Sequence, residues 1–339
     1  MKFGLFLGIW ENPDANGSQH KILHQVIDYA VRAEALGFQS VFLTEHHFTG
    51  LPQIPSSLTV LSYLAARTTR LRLGTALIIL PWHNPLLLAE QIGTLDLLSD
   101  GRFDCGVGKG FRYVECRGFG IPGEELGPRF EEGLEVLTRC WQSQGRFSHH
   151  GKYWNFDDAI IDPRPLQRPH PPIWIGAASE QSIHRAADRG YNLLLDQFSD
   201  SSQIGERFDW YRRRVVSQDI AFDPMRVGLT RAFHLTHSED ETRQALEHHQ
   251  KVLSNNRRLS SNPHEAGSLI YRPPVASGDP DDTWLIGTPA QMERRLNNLK
   301  ARGIEYVLLL DTAGSLAGLE QFAAEIMPRF DTDRASRAA

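Results

Sequence analysis

The sequence lacks the features that define several large protein classes. Its 339 residues include only three cysteines, none in a CxxC pair, and such a sparse, odd set is typical of reduced thiols in a cytosolic protein. No apolar run approaches the roughly 18 residues of a membrane span, and the apolar N-terminal stretch is too short for a signal peptide. The net charge is −5 and no basic block occurs, which disfavours a phosphate-backbone partner. We therefore expect a cytoplasmic protein that binds neither nucleic acid nor membrane.

Several functional motifs are also absent. No G-x-G-x-x-G follows the first apolar run, which weakens a dinucleotide-binding interpretation, and no H-E-x-x-H or H-x-H pair is present, which disfavours a metal hydrolase. The composition is 41% hydrophobic and 23% charged, as in ordinary soluble globular proteins. The one unusual count is fourteen histidines.

Short apolar runs alternate with amphipathic runs along the chain, a pattern that predicts strands buried on both faces and helices that cover them. The predicted strands are Lys2–Gly8, Ser40–Thr44, Leu71–Leu80, Arg102–Val107, Pro172–Ala177, Asn192–Asp196, Val227–Thr236 and Tyr306–Asp311. The predicted helices are Lys21–Leu36, Ser56–Arg67, Pro85–Ser99, Pro128–Trp141, Glu180–Arg189, Ser202–Val216, Glu239–Leu253, Pro289–Ala301 and Leu316–Phe330.

Eight strand–helix repeats favour a closed (β/α)8 TIM barrel, with an open doubly wound sheet as the alternative. We expect a single domain over residues 1–330 with insertions at about 145–171, after strand 4, and 255–284, before strand 8. The first insertion is aromatic and predicts a short hairpin or a loop packed on the barrel. The second is polar and long, which suggests a lid. Residues 331–339 form a frayed tail.

Polar residues follow several of the predicted strands, and barrel enzymes carry their chemistry at those strand ends. Gly108-Lys109-Gly110 offers a cation and open backbone amides. Ser179 and Ser182 lie where a helix begins, so these groups suit a phosphate. The alternative is that the glycines make tight turns and Ser179 caps the helix.

Glu45-His46-His47 follows the second predicted strand, and Leu80-Pro81-Trp82-His83 ends the third. Strand geometry would send His46 and His47 to opposite faces, which argues against a shared metal. The placement instead favours general acid–base use of an imidazole, against the alternative of a structural histidine. We expect four histidines at the surface: His149, His150, His248 and His249. His234 and Arg231 are weaker candidates for the barrel mouth.

Three stretches carry a family likeness: Phe42–Phe48, Leu73–Pro81 and Ser99–Phe103. Through these stretches the chain resembles the bacterial luciferase-like, flavin-dependent monooxygenase family. Met1-Lys2-Phe3-Gly4 and Ile286-Gly287-Thr288-Pro289 also fit. The likeness runs from Lys2 to about Phe330.

The resemblance implies roles for particular residues. His46 matches the catalytic acid–base histidine, and Ala76–Leu77 matches a non-prolyl cis peptide against the flavin ring. Lys109 matches an arginine that faces the phosphate. The implied cofactor-contacting residues are Glu45, Ala76, Leu77, Gly108, Lys109, Gly110, Ala178, Ser179, Ser182 and Asp196.

The sequence also departs from the luciferase pattern. Lysine keeps the charge of arginine but loses its planar fork. Gly108 replaces a reactive cysteine, Ala178 replaces a glutamate, and Asp196-Gln197 stand in place of serine and tryptophan. Because these changes alter the pocket, we expect a non-luminescent relative.

The resemblance implies an enzyme that binds reduced FMN (FMNH2), takes O2, and inserts one oxygen atom into an organic substrate through a flavin C4a-(hydro)peroxide. A separate flavin reductase supplies FMNH2, and a homodimer is expected, with the helix Ser56–Arg67 as a possible contact. An apolar substrate is suggested by the aromatic residues expected near the site: Trp10, Phe48, Trp82, Phe111 and Phe198. Alternatives are an F420-dependent hydride-transfer enzyme, a non-catalytic luciferase-type partner subunit, and a phosphate-binding isomerase or aldolase barrel.

Overall fold

A computed structural model describes residues 1–8, 18–50, 53–260 and 282–331. Trp10, the middle of the predicted lid (residues 261–281) and the predicted tail from residue 332 lie outside the described residues, so those expectations stay predictions. Within the described residues, no helix combines the length and the apolar character that crossing a bilayer requires.

All eight predicted strands are present. The strands are β1 (Lys2–Leu7), β2 (Ser40–Leu43), β3 (Arg72–Thr75), β4 (Ile78–Ile79), β5 (Phe103–Gly108), β6 (Phe147–His150), β7 (Asn155–Ala159), β8 (Ile173–Gly176), β9 (Asn192–Leu195), β10 (Val227–Leu235), β11 (Leu285–Gly287) and β12 (Tyr306–Asp311). The hairpin predicted within the first insertion is confirmed as the antiparallel pair β6–β7.

The predicted helices are present as well, and one further helix, α4, was not predicted. The helices are α1 (Gln19–Leu36), α2 (Ser57–Arg67), α3 (Pro85–Leu98), α4 (Tyr113–Phe119), α5 (Leu126–Gln142), α6 (Glu180–Asp188), α7 (Ser201–Val216), α8 (Glu239–Ser260), α9 (Pro289–Ala301) and α10 (Leu316–Glu325). Local caps set several of these starts. Asn84 Oδ1 accepts the N–H groups of Leu86 and Leu87 before Pro85 begins α3.

The main sheet has the strand order β11-β10-β12-β1-β2-β3-β5-β8-β9, with β4 paired to β5 and β9 paired back to β10. This is the order of a closed (β/α)8 barrel. The predicted fold class is therefore confirmed.

The described chain divides into two compact units. The first contains the described residues of Met1–Phe42, Trp174–Asn255 and Pro273–Ala339. In it, β12 lies between β1 and β10 in parallel register, and β9 pairs with both β8 and β10. The second contains the described residues of Leu43–Ile173 and Asn256–Arg272, where β3 and β4 both pair with β5. A single domain over residues 1–330 stays a prediction.

Two predicted boundaries are wrong. The third strand is not continuous, because Ala76 and Leu77 separate β3 from β4. The second insertion does not begin at residue 255, because α8 continues to Ser260.

The three cysteines are free and buried, as expected of reduced thiols. Burial raises the pKa of the Cys116 thiol to about 11 and that of Cys140 to about 12. It raises the pKa of Cys105 further still.

Candidate active site

His46 lies just beyond the carboxyl end of β2. The strand ends at Leu43, so His46 and His47 both lie beyond it. The side-chain alternation of a strand therefore does not apply to them, and the prediction that rested on it is wrong. The His46 backbone N–H donates to the carbonyl of Ile54. Its ring Nδ1 lies 2.9 Å from Glu115 Oε1.

Glu115 holds both histidines of the pair. The carboxylate belongs to the first turn of α4 and is buried. Its Oε1 accepts the His46 ring Nδ1–H and, at 3.1 Å, the backbone N–H of His47. An ionised carboxylate accepts only, so His46 carries its proton on Nδ1 and leaves Nε2 as the bare nitrogen.

The environment of His46 favours the neutral ring. Burial lowers the pKa of His46, and the bond to Glu115 opposes that effect without cancelling it. The positive charge of Arg112 lowers the pKa further. Since the net pKa lies below the ordinary value, His46 is a neutral base at pH 7.

A second buried carboxylate, Glu45, joins two further histidines. Its Oε1 lies 3.1 Å from His47 Nε2 and 2.8 Å from His83 Nε2. Burial would raise the pKa of Glu45, but hydrogen bonds from both rings outweigh it and the net pKa is lowered. The predicted contact between Glu45 and the cofactor stays a prediction, and its carboxylate is engaged by the two imidazoles.

Aromatic rings cover this cluster. Trp82 stacks on Phe119 with ring centroids 4.8 Å apart and 13° between the planes. Phe119 also contacts Phe48 at 4.9 Å and the ring of His47 at 5.0 Å. The polar groups thus lie beside an apolar wall, of which Phe48 and Trp82 were expected from sequence.

The Ala76–Leu77 peptide bond is cis, as the resemblance implied. Two glycines of β5 make room beside it. A Cβ on Gly106 would lie 1.8 Å from the Thr75 carbonyl oxygen, and one on Gly108 would lie 2.9 Å from Leu77 Cδ1. The glycines therefore allow two stretches of backbone to approach each other closely. Gly108 lies against the side chain of Leu77.

Lys109 and Gly110 continue the chain beyond β5. Lys109 is exposed, and Gly110 has a φ of 77°, in the left-handed region that favours glycine. The loop is therefore a turn that presents a lysine side chain to solvent, and a phosphate contact of either residue stays a prediction.

In the first unit, Ser179 is the N-cap of α6, as one of the two sequence interpretations held. Its Oγ accepts the Ser182 N–H at 3.3 Å, and it donates to Ser182 Oγ at 2.9 Å. Ala178 immediately precedes this cap and is half-buried. Capping does not exclude phosphate binding, because both hydroxyls lie at the amino end of the helix.

Asp196 organises the turn that follows β9. Its carboxylate accepts the backbone N–H groups of Phe198 and Ser199 at 2.8 and 2.9 Å. It also forms an ion pair with Arg207, with Nη1 and Oδ2 2.6 Å apart. A contact between Asp196 and the cofactor stays a prediction. In the structure, the Asp196 side chain stabilises the turn.

The structure corrects the placement of two histidines. His149 is half-buried, with Nε2 3.3 Å from Glu132 Oε1, and His249 is buried against Trp284 with ring centroids 5.2 Å apart. Their partners His150 and His248 are exposed, as expected. Arg231 is fully buried and donates to the carbonyls of neighbouring turns.

Sequence reasoning missed Glu115 and gave His83 no role. Glu115 precedes Cys116 in a short helix that carries little local signal, and its partners are about 70 positions away. His83 was noted only as the end of a strand. The available signal was that His83 follows a strand end next to Trp82, as His46 follows β2.

Three known proteins are similar to this chain over most of its length. An FMNH(2)-dependent dimethylsulfone monooxygenase of Pseudomonas putida is 28% identical, over 83% of this chain and 82% of the relative. The oxygenase component of the flavin-dependent trigonelline monooxygenase of Acinetobacter baylyi is 24% identical, over 99% and 98%. Among solved structures, the monooxygenase RslO1 of Streptomyces bottropensis is 27% identical with a TM-score of 0.83, over 98% of this chain and all of that one.

The family model described as luciferase-like monooxygenase matches residues 1–306. That match covers every strand up to the start of β12 and all the candidate site residues. The chain belongs to the luciferase-like monooxygenase family.

Proposed function

We propose that the protein is a non-luminescent, FMNH2-dependent monooxygenase that adds one oxygen atom of O2 to a small, mainly apolar organic substrate. The observation that carries the proposal is the His46–Glu115 pair, because a neutral histidine with a fixed tautomer is what acid–base chemistry near a flavin requires. The names of the relatives support a flavin.

The residues of the chain fit the proposed cofactor. Ala76 and Leu77 form an apolar surface next to Gly106 and Gly108, where no Cβ intrudes, and a planar ring system suits such a surface. The hydroxyl-bearing start of α6 at Ser179 suits a phosphate. Lys109 supplies an exposed cation. When bound, FMNH2 supplies the electrons that activate O2.

His46 moves the proton in the proposed reaction. Glu115 fixes Nδ1–H, so the exchange occurs at Nε2. The lowered pKa keeps that nitrogen unprotonated at pH 7, ready to accept a proton, and the buried carboxylate stabilises the imidazolium that results. The apolar wall of Phe48, Trp82 and Phe119 contacts the ring of the neighbouring His47, and a substrate bound on this wall would shield the proton from water.

The same wall supports an apolar or aromatic substrate. Phe48 is 57% exposed, so its ring is open for contact, while Trp82 is half-buried in its stack with Phe119. Flat apolar faces of this kind bind rings and aliphatic chains.

We further propose that FMNH2 reaches the enzyme from a separate flavin reductase, and that the protein is a homodimer. The trigonelline relative is named as an oxygenase component, which supports the reductase. The outer faces of α2 and α3 carry exposed Tyr63, Leu87 and Leu98, and apolar exposure of this kind is typical of an interface. A Leu98→Glu substitution that leaves the protein dimeric would remove α3 from that interface.

Oxygen consumption tests the proposal. Chemically reduced FMN, O2 and a panel of small organic substrates are supplied without a reductase, and product masses are read for one added oxygen atom. The same protein is titrated with reduced F420. Binding and turnover of F420 without oxygen transfer would establish the hydride-transfer alternative. Activity that requires a second, different chain would establish a partner subunit instead.

A further inference from the structure

We propose that His83 is a positioning residue, which acts through Glu45 to hold the segment that carries His46 and His47. The role rests on the proposed function, since it concerns the histidine that moves the proton. The geometry behind it is independent of any substrate. Two imidazoles from separate parts of the chain meet on one oxygen of one buried carboxylate.

The bridge fixes the protonation of both rings. Both bonds end on Glu45 Oε1, and an ionised carboxylate accepts without donating. His47 and His83 must therefore both carry hydrogen on Nε2. A buried carboxylate that loses one of two charge-assisted donors is poorly compensated, so His83 matters to Glu45 more than its own 28% exposed side chain suggests.

His83 is itself held firmly. It follows the 3₁₀ turn Leu80–Trp82, and its backbone N–H donates to the Leu80 carbonyl at 3.0 Å. The next residue, Asn84, caps α3. His83 is thus an anchor between a turn and a helix, whereas Glu45 and His47 lie in a segment without regular secondary structure.

The anchor reaches His46 by two routes. First, the Glu45 carboxylate accepts a hydrogen bond from the His47 ring. The backbone N–H of His47 in turn donates to the same Glu115 oxygen as the His46 ring does. Glu45 also acts by charge. Burial is the largest influence on the pKa of His46 and lowers it, and the negative charge of Glu45 is one of the opposing effects. Displacement of Glu45 would therefore change both the position and the proton affinity of His46.

The test compares His83→Gln, whose amide nitrogen can replace Nε2–H, with His83→Ala, which removes the donor. His149→Ala is the matched control, because it also breaks a half-buried bond between a histidine Nε2 and a glutamate, on Glu132 away from the cluster. Two measurements are made on each variant. One is the rate of FMNH2 oxidation by O2 as a function of pH, after subtraction of the uncatalysed rate without protein. The other is the ring ¹⁵N spectrum of the labelled histidines, without flavin.

For His83→Ala we expect kcat to fall about tenfold, while KM for FMNH2 changes less than about twofold. The acid limb of the pH profile, which reports protonation of His46, should move to lower pH, because a displaced or protonated Glu45 no longer raises the pKa of His46. His83→Gln should restore both, and His149→Ala should change neither. In the ¹⁵N spectra, His47 should keep its Nε2–H signature in His83→Gln and lose it in His83→Ala.

Three results would overturn the proposal: unchanged ¹⁵N signals of His47 in His83→Ala, a His83→Gln variant as defective as His83→Ala, or a loss confined to KM. The ¹⁵N arm needs no catalysis. If wild-type protein fails to oxidise FMNH2, the proposed function fails, and the spectra alone then decide whether His83 orders this segment.

Discussion

Acid should loosen the attachment of α8, because His249 is buried there as a neutral ring. His249 is 3% exposed and lies edge-on to Trp284, which packs against the apolar cluster of Ala232, Ala245 and Ile286. Burial, reinforced by the neighbouring His248, lowers the pKa of His249 to about 4 from an ordinary value of 6.5.

The sign and size of the effect follow from that shift. A histidine whose folded pKa is depressed takes up its proton more readily when unfolded, so stability is lost as the pH falls from 6.5 towards 4. One pKa unit corresponds to about 1.4 kcal/mol, so the full loss is about 3 kcal/mol below pH 4 and about 2 kcal/mol at pH 5. At pH 5, local opening of α8 should be about 30 times more frequent than at pH 7.5 on account of this group.

Hydrogen–deuterium exchange of peptides from residues 239–253 measures this opening, after correction for the intrinsic pH dependence of exchange. His249→Leu removes the titrating group and keeps an apolar side chain against Trp284, so its protection should be nearly independent of pH between 7.5 and 5. His248→Leu is the matched control, since His248 is exposed and only reinforces the larger effect of burial on His249, so this variant should keep most of the loss of protection that acid causes in the wild type. Parallel losses of protection in wild type and His249→Leu would refute the reasoning.

Three further predictions concern the candidate site. His46→Ala should lower turnover by roughly 10²–10⁴-fold and leave FMN affinity, measured by titration, largely intact; full activity would remove His46 from the mechanism. Glu115→Gln should move the acid limb of the pH profile, which reports protonation of His46, to lower pH, because the hydrogen bond to Glu115 raises the pKa of His46 against the larger effect of burial; an unchanged pH profile would contradict this. Gly106→Ala should lower the free energy of unfolding, measured by urea titration, by several kcal/mol, since its Cβ would lie 1.8 Å from the Thr75 oxygen. The matched Gly127→Ala has open space in α5 and should raise the free energy of unfolding by up to ~1 kcal/mol. Equal effects of the two substitutions would count against the packing argument.

The sequence allowed most strands and most helices to be predicted because their signals are local, although the short strand β11 was missed. The buried runs around Phe42 and Leu308 are apolar on both faces, and Asn84-Pro85 marks the start of a helix without any tertiary information. The break between β3 and β4 was not predictable from hydrophobicity, since every residue from Ala76 to Leu80 is apolar.

The polar partners in the site could not be found in this way. Glu115 meets His46 across 69 positions and His83 meets Glu45 across 38, and no pattern within a single element links such residues. His249 is a different case. It lies four residues after buried Ala245, a helical spacing that placed it on the inner face of α8 and was available in the sequence.

The burial of all three thiols bears on how long such an enzyme would last in use. Reduced flavin that reacts with O2 outside productive turnover releases hydrogen peroxide, which attacks thiolates far faster than thiols. Cys105, Cys116 and Cys140 are enclosed, and their raised pKa values keep them protonated at neutral pH. The three cysteines therefore offer hydrogen peroxide no accessible thiolate. Under the proposed function, inactivation by peroxide should begin at other residues, and thiol reductants should do little to prolong activity.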